Sequence, residues 1–134
     1  MAMKYEDYPS FEGFGSLDNN PYRTDYREGI YVGYRWFQAM DIKPRYPFGF
    51  GLSYVGFDIN YSDIRLDKTL VSIDISVTNT SKQYDGKEII QIYLSKPQGI
   101  LDKEKLSLVA FKKTRLLKPN ETDSFTATFD LCDA

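Results

Sequence analysis

Residues 70–79 read LVSIDISVTN. In an extended chain Val71, Ile73, Ile75 and Val77 point one way, and Ser72, Asp74, Ser76 and Thr78 point the other. That period of two is the pattern of a strand with one face on a core and one in water. Sheets wet on one face are typically antiparallel, so the stretch predicts an antiparallel sheet. The closing run SFTATFDL repeats the device, with Phe125, Ala127, Phe129 and Leu131 opposite Ser124, Thr126, Thr128 and Asp130. Upstream, Val55, Phe57, Ile59 and Tyr61 alternate with Tyr54, Gly56, Asp58 and Asn60 to give a first strand. In KEIIQIYLS, Ile90, Ile92 and Leu94 form an inward set with Ile89 and Tyr93 opposite, which predicts a strand covered on both sides. KLSLVAFKKTRLL supplies another strand.

The connections carry turn chemistry. Asp85-Gly86 offers the positive backbone angle of a hairpin-type turn. Lys96-Pro97-Gln98-Gly99 breaks the pattern and predicts an irregular connection to about Lys105. Pro119 and Asn120 mark a further turn, Pro setting one backbone angle and Asn tolerating a left-handed one. Short strands with no amphipathic helix between them define an all-β chain, an antiparallel sandwich of the immunoglobulin or fibronectin type III kind. Such sandwiches use about seven strands. The pattern from Tyr54 onward holds five, and the sequence stops directly after an apolar strand that another should pair with.

The leading part is different. Of the 21 Phe, Trp and Tyr residues, 16 precede position 62. Pro9, Pro21, Pro44 and Pro47 stand among Gly13, Gly15, Gly29, Gly33, Gly49 and Gly51, punctuation that prevents long regular elements. Only EGIYVGYRWF, residues 28–37, looks regular: Ile30, Val32, Tyr34 and Trp36 alternate with Tyr31, Gly33, Arg35 and Phe37. Both faces carry large apolar surface, which predicts a strand buried on two sides. The division is an irregular segment over 1–53 and a sandwich over 54–134.

Composition narrows the function. The 134 residues are 42% hydrophobic and 27% charged, the make-up of one globular domain. Lys and Arg number 17 against 19 Asp and Glu, a formal charge of −2 that gives no reason to expect nucleic acid. The absence of His removes triad catalysis and imidazole metal sites, so no metal or cofactor is expected. The single Cys132 cannot form an intramolecular disulfide and is expected to pack as a small apolar residue. No apolar run suits a bilayer and MAMKYEDYPS lacks the apolar core of a secretion signal, which favours a cytoplasmic setting. Asn60, Asn79 and Asn120 head N-x-[ST] triplets, a pattern too short to imply glycosylation by itself.

Five phrases then converge. YREGIYVGYRWF (26–37), PRYPFGFGLSY (44–54), VTNTS (77–81), DGKEIIQIYL (85–94) and FKKTRLLKPNE (111–121) together resemble the later part of glycoside hydrolase family 3. In order, they look like the end of its α/β sandwich domain followed by its fibronectin type III-like domain, and are most similar to β-glucosidase-type members. The last turn reads Pro119-Asn120-Glu121 where the family pattern has Pro-Gly-Glu, and residues 103–107 match its Pro and Glu poorly. The resemblance implies a retaining exo-β-glycosidase, glucosidase or xylosidase, with an Asp nucleophile and a Glu acid/base about 5 Å apart. No stretch here matches the nucleophile motif, and the acid/base region lies outside the matched part, so no residue of this chain is expected to be catalytic.

The resemblance thus implies a structural region that packs against the catalytic domains of a parent glycosidase, with Tyr31, Phe37, Phe48 and Phe50 as packing residues. Tyr34 and Trp36 are the candidates for contact with a β-glycoside, since flat rings suit sugar faces, although alternating aromatics more often fill an interface. Arg35 suits stacking on a neighbouring ring. Asp7, Asp25, Glu28 and Asp41 have no motif to position them and read as solvated or paired carboxylates. Lys112, Lys113, Arg115 and Lys118 read as the wet face and ends of a strand. Two other functions fit the residues: a free-standing carbohydrate-binding module with Trp36 in its platform, and a module that self-associates through an exposed sheet edge or the aromatic segment.

Overall fold

The computed structural model describes residues 1–13, 22–23, 26–97 and 99–133. Gly15, Pro21, Asp25 and Gln98, named above, lie outside the described residues. The chain divides into two compact units: Met1–Gly51 with Ser95–Ser107, and Leu52–Leu94 with Leu108–Ala134.

The second unit is built from strands β1 (Phe57–Asp67), β2 (Leu70–Asn79), β3 (Ile89–Leu94), β4 (Ser107–Lys113) and β5 (Thr122–Asp130). They form an antiparallel β1-β2-β5 sheet and a two-stranded β3-β4 sheet, the sandwich read from the sequence. Val71, Ile75 and Val77 of β2 are buried, as the alternation requires. Ile75 and Val77 join Ile90, Leu117 and Ala127 in the core, with Phe57, Ile73, Ile92 and Phe125 packed alongside. This burial is the main stabilising term, at ~25 cal/mol per Å² of apolar area removed from water.

β1 runs beyond Tyr61, where the alternation read from the sequence ends. A bulge between Ser62 and Ile64, with Asp63 at φ 43°, inserts one residue. That extra residue returns Ile64 and Leu66 to the face of Ile59 and Tyr61, opposite Ile73 and Val71 of β2. The turn into β2 is only Lys68-Thr69, with Lys68 at φ 55°, and lacks the Asn or Gly that normally announces such a hairpin. β1 is an edge strand, so Ile59 and Tyr61 are more exposed than a half-buried strand implies.

Four expectations need correction. Asp85-Gly86 is not a hairpin turn, because β2 pairs with β1 and β5 while β3 pairs with β4. Gly86 instead exchanges two backbone hydrogen bonds with Leu117, at 3.0 and 2.8 Å. A Cβ there would lie 3.0 Å from both Val55 and Phe57, so close approach and not turn angle requires the glycine. β3 is covered only in part on its second face: Ile89 is exposed and Tyr93 half-buried, while Ile90 on the first face is buried. Cys132 is exposed, in the turn after β5, where its N–H bonds the Asp130 carboxylate at 2.9 Å.

The fourth correction lies in the first unit, where residues 28–37 do not form a strand. Gly33 at φ 66° and ψ −127° turns the chain, and a six-residue helix, α1 (Tyr34–Ala39), follows. A short run apolar on every side carries no period to separate strand from helix, and Gly33 allows a backbone angle that other residues resist. Near the N-terminus a 3₁₀ turn spans Tyr5–Asp7, with the Asp7 carboxylate accepting the Lys4 N–H at 2.9 Å. Residues 1–8 are tied to the rest of this unit. Arg45 N–H bonds the Met1 carbonyl at 2.8 Å, and the Trp36 indole N–H bonds the Asp7 carbonyl at 2.9 Å.

Candidate functional site

α1 brings most of the sequence-derived site residues together in the first unit. The Tyr34 ring lies 5.7 Å from Phe48, tilted by 38°, with the Arg35 guanidinium 5.7 Å from the Tyr34 ring centre. Phe37 meets Tyr8 edge-on at 6.0 Å, and Phe50 lies 4.8 Å from Tyr46. Tyr34, Trp36 and Phe37 are half-buried, whereas Phe48 and Phe50 are exposed at 60% and 52%. The rings therefore cover one another only in part, and apolar area remains in water.

Beside them sits an acidic pair that sequence reasoning missed. The Tyr31 hydroxyl donates to Asp102, and this bond is the main reason the phenol pKa lies above its usual value. Glu104 accepts the Ser107 hydroxyl at 2.5 Å and lies 3.8 Å from the Lys96 ammonium. The Ser107 bond first, then a backbone bond, hold the Glu104 carboxyl below its usual range against the opposing effect of burial, with the Lys96 and Arg35 charges helping. Lys105 reaches the Gln38 carbonyl at 3.5 Å. No local signal announces this cluster, because residues 96–105, which hold both carboxylates, read only as an irregular connection. Chemically both carboxylates are engaged as hydrogen-bond acceptors, an arrangement that orients loops. Among the described residues, Arg35 Nε and Gln38 Oε1 are buried without a hydrogen-bond partner.

The remaining acids named from sequence are dispersed along the chain. Asp7 closes its 3₁₀ turn, the Glu28 carbonyl accepts the Tyr31 N–H at 2.9 Å, and Asp41 stands at φ 53° on an exposed turn.

In the second unit, a shallow depression of about 380 Å³ lies on the three-stranded sheet, lined by Asn60, Ser62, Asp74, Ser76, Ser124 and Thr126 among others. Asp74 accepts two bonds from Arg65, at 2.5 and 3.0 Å, and one from Thr126 at 2.6 Å. The Arg65 and Thr126 bonds bring its pKa down to about 2. Of the basic residues near the last turn, Lys112 lies 4.3 Å over the Phe125 ring, and Arg115 bonds Glu121 at 2.5 Å and lies 3.7 Å from Asp123.

An antiparallel sandwich accompanied by an aromatic unit, with no converged catalytic pair among the described residues, is the class this geometry defines. No family model matches the chain. β-Glucosidase A of Butyrivibrio fibrisolvens is 40% identical over 145 residues, covering 94% of this chain and 17% of the relative. Thermostable β-glucosidase B of Acetivibrio thermocellus is 35% identical over 136 residues, with 97% and 17% covered. Among solved structures, β-glucosidase 3B from Thermotoga neapolitana in complex with glucose matches with a TM-score of 0.86 and 35% identity, over 97% of this chain and 18% of that one. A β-glucosidase from Paenibacillus barengoltzii gives 0.85 and 41%, over 98% and 14%. The chain is homologous to the C-terminal part of glycoside hydrolase family 3 β-glucosidases. It spans less than a fifth of the length of these relatives.

Proposed function

We propose that this chain is a noncatalytic structural region of a β-glucosidase-type exo-glycosidase, an interdomain segment over 1–53 joined to a sandwich domain over 54–134. Its aromatic segment packs against the catalytic domains through Tyr31, Phe37, Phe48 and Phe50. The observation that carries this reading is the amount of ring surface left in water, with Phe48 at 60% and Phe50 at 52% exposure beside half-buried Tyr34 and Phe37. Such a patch marks a contact surface more readily than a solvent face. For Trp36, the indole N–H already bonded to Asp7 and the half-buried ring support packing over a role as a sugar platform.

A chimera tests it. The matching region of the Butyrivibrio fibrisolvens relative is replaced by this chain, and aryl β-glucoside hydrolysis is measured with and without Phe48→Asp and Phe50→Asp. Hydrolysis by the chimera that falls on substitution, with none from the 134-residue chain alone, is the expected result. Activity of the isolated chain, or indifference of the chimera to both substitutions, would overturn the reading.

A further inference from the structure

Helix α1 lacks the features that hold a short helix by itself. It has six residues, where an isolated helix needs about 12. Its N-cap, Gly33, makes no side-chain bond, its first turn holds no acid and its last turn no base. Tyr34, Trp36 and Phe37, half of its residues, favour strands over helices. The alternation of residues 28–37 is that of a strand as well, so the helix is set by its surroundings, against the local pattern.

Those surroundings include residues 95–107, which connect β3 to β4 yet cluster with Met1–Gly51 in the first unit. They meet the helix in matched order. Asp102 accepts the Tyr31 hydroxyl three residues before α1, Glu104 is favoured as a carboxylate by the charge of Arg35 in the first turn, and the Lys105 ammonium reaches the Gln38 carbonyl near the end at 3.5 Å. Lys105 thereby brings to the C-terminal carbonyls the positive charge that the last turn of the helix lacks. Within the loop, Glu104 accepts the Ser107 hydroxyl at 2.5 Å and lies 3.8 Å from Lys96, which fixes the side that meets the helix. We propose that residues 95–107 are a strap on which the helical state of residues 34–39 depends: α1 forms where the strap is fastened through Asp102, Glu104 and Lys105, and is lost where the strap is released. Because α1 carries Tyr34, Trp36 and Phe37, the strap also sets the arrangement of those rings. The inference concerns the first unit alone and stands without the proposed function.

The test uses the full 134-residue chain with Asp102→Ala, Glu104→Ala and Lys105→Met combined, three changes outside α1 whose effect on it has to pass through the strap. Nuclear magnetic resonance is expected to show the carbon shifts of residues 34–39 leaving their helical values. Exchange of the Met40 amide, bonded to the Trp36 carbonyl at 3.0 Å, should quicken by about tenfold or more, the scale of lost charge-assisted bonds. Amides of β2 and β5 should keep their protection, which separates release of the helix from general unfolding. Ile100→Ser, at a loop side chain fully exposed to solvent, should change none of these. If the triple variant does not fold, Asp102→Ala and Lys105→Met are read singly, each with a smaller rise in Met40 exchange. In a folded variant, helical shifts with unchanged Met40 exchange would overturn the proposal, as would a rise matched by the amides of β2. Failure of even the single variants to fold would overturn it too, because these residues would then hold the whole chain and not the helix.

Discussion

The side-chain amide of Asn79 donates to the main-chain oxygen of Leu117 at 2.9 Å, and both residues are fully buried. The same amide nitrogen reaches the Tyr84 carbonyl at 2.9 Å, and the side-chain oxygen accepts the Ser81 N–H at 2.8 Å. One side chain thus pins the end of β2 to the turn that leaves it and to the segment between β4 and β5. The triplet at Asn79 is a structural clip: a glycan has no access to a side chain enclosed in this way. Asn79→Ala takes this donor from the buried Leu117 carbonyl, leaves the half-buried Ser81 N–H contact unmade and opens space beside Leu117. It should lower unfolding free energy by about 1–3 kcal/mol in urea titration.

Leu117 and Leu116 are adjacent and opposite in burial, at 0% and 52% exposure. Leu117→Ala should cost about 2–5 kcal/mol through lost transfer energy and an unfilled cavity. Leu116→Ala should stay within about 0.5 kcal/mol. Equal effects in chemical denaturation would contradict the core described here.

Two glycines are needed for different reasons, and alanine separates them. Gly86→Ala places a methyl 3.0 Å from Val55 and Phe57 and should destabilise by about 1–3 kcal/mol. Gly33 has no atom within 4 Å of an added Cβ but sits at φ 66°. Gly33→Ala should therefore strain the start of α1 by about 1–3 kcal/mol without a clash. Emission of Trp36, the single tryptophan, reports the second change directly, because its indole bond to Asp7 depends on where α1 begins.

Acid should weaken the Arg65–Asp74–Thr126 arrangement over a defined range. Hydrogen bonds from Arg65 and then Thr126 depress the Asp74 pKa from 3.8 to about 2. A depressed carboxylate contributes stability that is fully present above its unfolded value and is lost as pH falls through the folded one. The thermal midpoint should thus decline as pH falls from 3.8 towards about 2. Asp74→Asn should flatten that decline, and Thr126→Val should flatten it in part. A wild-type and Asp74→Asn pair with identical pH profiles would show that the arrangement adds nothing.

Legibility along the chain follows how local the deciding interaction is. The faces of β2 and β5 are readable because a strand exposed on one side writes its burial into alternate residues. The turn at Pro119-Asn120 is readable because Asn120 adopts φ 61° through its own tolerance of that angle. Residues 28–37 mislead, since a run that is apolar all round has no face to report. Gly86 misleads because crowding by Val55 and Phe57, distant in sequence, looks the same as a turn preference. The Tyr31–Asp102 contact has no sequence signal, as it joins residues 71 positions apart through a loop without periodicity.

From the residues alone came the antiparallel class, the inward sets of the two best strands and the kinship with family 3 glycosidases, all of which rest on near-neighbour pattern or on matched phrases. Which sheet each strand enters and where α1 replaces a strand were settled only by the folded chain. Those outcomes depend on how much surface one layer has available to cover another, a quantity that no window of neighbouring residues contains.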